Sequence, residues 1–377
     1  MLFVRQLLIK ECMKIRLMIL WLVVAWSNQA AALNVAFLVP DTQDRKFWQQ
    51  VVGVVQSVAD DHNINLQVYY SSNDRFASRT GIANIVGQNV KPDYVIYRPI
   101  KGSVIDTMRL LEAHKISYVT LEKSFSDEEL QLVGKPQGKY QHWLGTIEYD
   151  DEQGGALLTA ALLQQHQKIN PDTTMRLTAI GGGFEQVSLA RQSHLKHLTL
   201  HDKPVVVNQI FPMSWSIDNI HQTFPAINSR YPDTHAFWCV ADSFALAILD
   251  HIPAPSDSDS PLLIGGFDWL PEAIDKVASK DLTASVGGHF LMAANALLKI
   301  IEYSQGNNVF LQNNALQKYE VIDHDNVALY QPFLHKAPWS EIDYRQFSSQ
   351  FNQQKKPVDL TVANLISAYS QLKNKTK

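Results

Sequence analysis

Acids and bases recur through the sequence just after short apolar runs, at Asp41, Arg98, the pair Glu122 and Lys123, Asp242 and Asp268, with Arg191 a few residues beyond a glycine turn. Aromatic rings fall among them at Phe47, Trp48 and Trp215, and His289 follows two glycines. Carboxylates and guanidinium groups make paired hydrogen bonds to hydroxyls, and an aromatic ring covers the C–H face of a sugar. The set therefore suits a small polyhydroxylated ligand. Binding is expected rather than turnover: there is no G-x-S-x-G elbow, no H-E-x-x-H and no cysteine in a nucleophile's setting. Asp150 and Asp151 are adjacent, and an extended chain would point them to opposite faces, a poor arrangement for a general acid and base.

Two other clusters read as structural. Gly181, Gly182 and Gly183 follow an apolar run but lack the Gly-Lys-Ser/Thr ending of a phosphate loop and the GxGxxG spacing, so a tight turn is expected. His194, His197 and His201 have metal-compatible helical spacing with no local cysteine or carboxylate to complete a set, so a solvated helix face is expected. No cofactor and no metal is implied.

The elements that would position these residues alternate. Strands are expected at 33–40, 64–70, 93–99 and 116–122, with helices at 47–61, 79–88 and 104–114 between them. The rhythm pauses over the polar stretch from Lys123 to Trp143 and resumes with WLGTIEYD. Helices are then expected at 152–167, 188–200, 217–228, 243–250 and 270–279, with strands at 175–182, 205–211, 235–241 and 262–267. Such alternation means right-handed βαβ units and parallel sheets covered on both faces. Two sets in tandem imply two Rossmann-like lobes with a cleft between them, and the ligand site belongs at the carboxyl ends of the strands, where the charged residues fall. The 377-residue length, 46% hydrophobic and 19% charged, agrees with two cores rather than one. PAPSDSDSP (253–261) reads as a solvated turn, and the last stretch is expected to pack on the lobes with its final residues fraying.

Residues 13–32, MKIRLMILWLVVAWSNQAAA, have the layout of a secretory signal peptide: Lys14 and Arg16, ten apolar residues from Leu17 to Trp26, and the small-residue exit Ala30-x-Ala32. The run is too short to cross a bilayer. Either Met1 or Met13 can start the chain. Removing 1–32, which carries a net +3, leaves 345 residues at −7. Cys12 leaves with the leader, so Cys239 has no partner for an intrachain disulfide. The acidic balance and absence of a basic block argue against nucleic acid.

The order of these motifs resembles the type I periplasmic solute-binding proteins, ribose- and galactose-type members of ABC importers in particular, from Leu33 to about Gly306. DTQDRKFW resembles that family's polar loop and paired aromatics, SYVTLEK its strand ending in an acid and a base, and IEYDDEQGG its entry to the second lobe. GGGFEQVSLAR places Arg191 where the family uses an arginine on its ligand, FWCVADSFALAIL resembles the strand and helix usually carrying Asn-Asp, and IGGFDW the strand ending in a sugar-holding aspartate. LTASVGGHF resembles a crossing segment. Departures are Ala241 for asparagine, Gly288 for a polar side chain and Arg98 for the asparagine before proline. With Lys123 and Arg191, Arg98 is expected to favour an acidic or charged ligand.

The resemblance implies three inter-lobe crossovers, near Tyr149, Gly288 and Gly306. The expected organisation is a leader at 1–32, an N-terminal lobe of 33–149 plus 289–306, a C-terminal lobe of 150–288 plus 307–345, and an extension at 346–377. The expected protein is a periplasmic monomer that closes on a carbohydrate-like solute. Phe47, Trp48 and Trp215 would stack on it, Asp41, Glu122, Arg191 and Asp268 would hold its polar groups, and Arg98, Asp242 and His289 would assist. The membrane partner would be an ABC permease, or a sensor such as a histidine kinase or cyclase. An exported enzyme on a Rossmann-like sheet is the reading of another class.

Overall fold

The computed structural model describes residues 32–198, 204–252, 261–312, 316–352 and 355–375. The expected leader, nearly all of the 253–261 turn and His201 lie outside them. Among the described residues no helix is long and apolar enough to cross a membrane.

The first sheet comprises β1 (Asn34–Val39), β2 (Asn65–Tyr70), β3 (Tyr94–Tyr97), β4 (Ser117–Leu121) and β5 (Trp143–Ile147). It is wholly parallel, in the order β2-β1-β3-β4-β5. The second holds β6 (Met175–Gly181), β7 (Val205–Pro212), β8 (Ala236–Cys239), β9 (Leu263–Phe267), β10 (Ala284–Gly287) and β11 (Glu320–Asp323) in the order β11-β10-β9-β8-β6-β7. Here the edge strand β11 runs antiparallel and the sheet is mixed, where the sequence pattern implied parallel strands throughout. The interior strands β1, β3 and β4 are buried almost end to end, whereas the edge strand β2 alternates, because only strands covered on both faces need continuous apolar runs.

Helices α1 (Lys46–Asp61), α2 (Arg75–Val86), α3 (Val104–Ala113) and α4 (Asp127–Val133) serve the first sheet. The second is served by α5 (Asp151–Ile169), α6 (Gln186–Arg191), α7 (Leu195–Leu198), α8 (Ile217–Arg230), α9 (Asp242–Leu249) and α10 (Pro271–Ala278). The chain then returns α11 (Met292–Ser304) to the first sheet and α12 (Val327–Lys336) to the second, and ends with α13 (Val362–Lys375). Side-chain caps set several starts: Asp74 accepts from the Phe76 and Ala77 amides, Asp150 from Gln153, and Ser216 from Asn219. Each cap contributes about 1 kcal/mol. Helix α4 lies in the stretch read as a pause, and its signature is a capping box, with Ser126 and Glu129 each bonding the other's backbone amide.

The lobes are joined at residues 148–150, 287–289 and 317–319. The first and third joints run side by side: the Gln317 amide donates to Glu148 O at 2.9 Å and Gln317 O accepts from the Asp150 amide at 2.8 Å. The third crossing therefore falls at Gln317 rather than near Gly306, because Val309 and Phe310 remain buried, against α11 and over Gly145 of β5. Residues 339–347, assigned from sequence to the second lobe, lie against α1 of the first, where Trp339, Tyr344 and Phe347 find cover. The tail beyond them packs as expected, forming α13 with Leu365 and Tyr369 buried, and the final residues expected to fray, 376–377, lie outside those described.

The single helix expected over 188–200 is broken into α6 and α7. At the break His194 turns inward beside Trp238 and bonds Thr159 Oγ1 at 2.6 Å, so it does not belong to a solvated face. The close packing that forces this break is at Gly155 of α5, where an added Cβ would meet Arg191 O at 1.8 Å. Gly155→Ala is expected to lower the thermal midpoint by roughly 5 °C, since overpacking by about 1–3 kcal/mol exceeds the gain in helix propensity. An unchanged or raised midpoint in a thermal melt would show that α6 does not rest on α5.

Candidate functional site

In both sheets the strand order reverses, between β1 and β3 in the first and between β6 and β8 in the second, and ligands collect beyond the carboxyl ends of strands at such points. A cavity of about 620 Å³ lies there between the lobes. Nine of the eleven residues singled out from sequence line it: Asp41, Phe47, Trp48, Arg98, Glu122, Arg191, Trp215, Asp268 and His289. The other two, Lys123 and Asp242, do not.

Arg191, at the end of α6, is 3% exposed and its five donors are almost fully used. Nε donates to Asp151 Oδ1 at 3.1 Å, Nη1 to Val240 O at 3.1 Å, and Nη2 to Tyr319 Oη and His289 Nε2, both at 3.1 Å. Asp268 Oδ1 lies 3.8 Å from Nη1 and 3.3 Å from His289 Nε2. The guanidinium also stacks over Phe267, 4.7 Å from its centroid. Burial pushes Asp151 up to about 6 against the pull of Arg191. Burial likewise pushes Asp268 up to about 7, Arg191 opposing and Glu122 adding to the rise.

Burial, with Arg191 alongside, holds His289 well below the usual histidine range, so the ring is neutral. An arginine can only donate, so Nε2 accepts and the proton sits on Nδ1. Nδ1 is buried without a hydrogen-bond partner among the described residues. The Phe47 ring stacks on His289 with centroids 4.6 Å apart. His289 is thus a neutral ring held at a fixed angle in the cavity wall, with its Nδ1 covered.

Asp242 is completely buried and works behind the site. Its carboxylate accepts from Ser285 Oγ at 2.8 Å and from the Leu270 amide at 3.0 Å, which secures the turn carrying Asp268 and Trp269. That turn needs securing, because Asp268 has φ +114° and Trp269 +57°, a region that residues with a Cβ rarely occupy. The glycine run behaves as the expected turn with a further use. A Cβ on Gly182 would come within 2.6 Å of the Trp215 ring, so the missing side chain makes room for that indole, whose Nε1 donates to Glu185.

Arg98 does not present a free positive charge. Its Nε lies 2.6 Å from Glu122 Oε2, both side chains nearly buried. Lys123 points into a separate recess of about 250 Å³ and pairs with Glu152 at 3.5 Å. The other lysines and arginines of the cavity are answered too, Arg45 by Asp41 at 3.4 Å, Lys46 by Glu272 across the lobes and Lys276 by Asp281 at 3.0 Å. The expectation of an acidic ligand therefore loses its basis, since each of the three cations invoked for it meets a carboxylate of the protein.

Sequence reasoning missed several contributors. Asp44, Arg45 and Lys46 stand inside DTQDRKFW and line the mouth, where Arg45 also reaches Trp215 O at 3.4 Å. Asn73 follows β2, a strand end like the others that were considered. Tyr319, which bonds both Arg191 and Asp151, comes from an aperiodic segment, and nothing in its neighbourhood marked it.

No protein family matches the chain, and no curated protein does. Solved structures do. A periplasmic sugar-binding protein from Pseudomonas fluorescens superposes with TM-score 0.73 at 20% identity, covering 85% of this chain and 98% of that one. An ABC transporter solute-binding protein from Bacillus halodurans C-125 with bound myo-inositol gives 0.65 at 15%, covering 81% and 99%. The arabinose ABC transporter's periplasmic binding protein from Shewanella sp. ANA-3 gives 0.65 at 15%, covering 82% and 98%. The chain has the two-lobed α/β fold of the type I periplasmic binding proteins, and many of its structural neighbours are periplasmic sugar-binding components of ABC transporters.

The raised acid at Asp268 gives a signed expectation. Its folded-state value of about 7 exceeds the ordinary 3.8, so the protonated carboxyl adds stability below about 4 that disappears as the pH rises through 7. Asp268→Asn, which mimics the protonated form, should gain in thermal midpoint relative to wild type as the pH goes from 5 to 8. A difference that stays flat or shrinks over that range would place the titration elsewhere.

Proposed function

We propose that the protein is an exported solute-binding protein that closes its two lobes over a small neutral polyhydroxylated ligand, sugar or cyclitol, and presents the closed form to an ABC permease in the membrane. The observation that carries this reading is the charge balance of the cavity: every cation in the first-lobe wall is met by a carboxylate, and Arg191 is met by Asp151. A fixed negative ligand would find no unpaired cation there and would add to the charge of Asp41, Glu122 and Asp268. A neutral polyol offers hydroxyls that donate to those carboxylates, and C–H faces for Phe47, Trp48 and Trp215.

Closure follows from the placement of these groups. Asp41, Phe47, Arg98 and Glu122 belong to the first lobe and Arg191, Trp215 and Asp268 to the second, so a ligand touching both favours the shut form by its differential affinity. Direct contacts already link the lobes across the cavity, Lys46 with Glu272 and Gln50 Nε2 with Trp269 O at 3.3 Å, and would hold them together on closure. The structural neighbours support the choice of partner and compartment: they include a periplasmic sugar-binding protein, an ABC transporter solute-binding protein with bound myo-inositol and the periplasmic component of an arabinose ABC transporter.

A thermal-shift panel of neutral sugars and cyclitols, sugar acids and amino acids tests the reading. A neutral member is expected to raise the midpoint, by about 2.7 kcal/mol of stabilisation at 100 times its dissociation constant, and to be recovered unchanged after denaturation. Glu122→Gln should weaken that ligand at least tenfold and improve the matching sugar acid, because it leaves Arg98 buried without its counter-charge. A panel answered only by anions, or a ligand recovered chemically altered, overturns the proposal.

A further inference from the structure

The cavity has a second end of different character. Ser243, Leu246, Ala247 and Asp250 recur along α9 at the spacing i, i+3, i+4, i+7 and all line it, so it follows one face of that helix for about 10 Å away from the carboxylates. Ile217 at the start of α8 and Leu270 before α10 form its sides.

Helix α9 reads DSFALAIL and is apolar on nearly every side. Its inward positions Phe244, Ala245 and Ile248 fill the core, which accounts for half of that pattern. Leu246 and Leu249 are only half-buried, where a surface helix ordinarily carries polar side chains. Ser243 stands where the arm begins, and His221, Asp250, Glu272 and Lys276 add charged and polar groups to the lining. One continuous space thus joins a hydrogen-bonding end to an arm whose middle, at Ile217, Leu246, Ala247, Leu249 and Leu270, is apolar.

Resting on the solute-binding reading, we infer that the ligand is amphipathic: a hydroxylated ring held at the Asp268 and His289 end, bearing an apolar substituent of phenyl or short-alkyl size that lies along α9. A single sugar ring would leave the arm as exposed apolar surface, while the cavity as a whole lies within the roughly 300–1,000 Å³ used for larger ligands. Each methylene buried in the arm strengthens binding about fourfold, so a phenyl group is expected to be worth on the order of tenfold or more.

The test is calorimetric titration of the full protein with glucose, galactose, ribose, arabinose and myo-inositol, and with the phenyl and hexyl glycosides of the four sugars. A glycoside binding at least tenfold more tightly than its parent, with Leu246→Gln bringing the two within twofold of each other, is the expected result. A parent that binds while its glycosides bind equally or more weakly overturns the inference and leaves the solute-binding reading standing. If neither parents nor glycosides bind, that reading fails and the inference falls with it.

Discussion

A guanidinium taken out of water has to be met on every side, and at Arg191 the partners come from segments far apart in the chain. Asp151 begins a helix, Val240 and Asp268 follow strands, His289 stands after one lobe crossing and Tyr319 on another. Removing the cation would leave two buried carboxylates uncompensated, a loss of several kcal/mol. For that reason the geometry of the cavity wall is tied to the fold itself. The joints between the lobes and the polar wall share atoms, so anything that shifts one shifts the other.

Pairing within the wall is what would let a site rich in charge favour the uncharged guest proposed for it. Arg98 with Glu122, and Arg45 with Asp41, are partly or nearly buried, where an isolated charge is expensive and a paired one is tolerable. Each pair keeps lone pairs or N–H groups for a hydroxyl without presenting net charge. Selectivity then lies in direction and spacing of hydrogen bonds rather than in attraction at a distance.

Much of this was readable before any coordinates, because period-2 and period-3.6 patterns mark strands and helices and the charged residues sit where strands end. Asp268 and Glu122 were legible for that reason, while Arg191, at the end of a helix, was reached only through the family resemblance. Asp242 has the same position in its strand but is turned inward to the Leu270 amide, and no pattern distinguishes a side chain that faces the ligand from one that supports its neighbour. Lys123 and Arg98 looked alike as cations, and only their partners separate them. His194 was misplaced because the close approach of Gly155 interrupts a helix that local periodicity would continue. Tyr319 depends wholly on tertiary contact.

The tail ties together parts that function would separate. The Leu360 backbone accepts from Asn295 Nδ2 and donates to Asn295 Oδ1, pairing with that side chain of α11 against the first sheet, while Tyr369 packs on Phe333 and its hydroxyl accepts from Lys336, both on α12 against the second. In the proposed closing motion a strap of this kind would resist wide opening, since parting the jaws pulls on both of its seats. The last turns of the chain, outside the cleft, would then help to set how readily an empty cleft admits its guest.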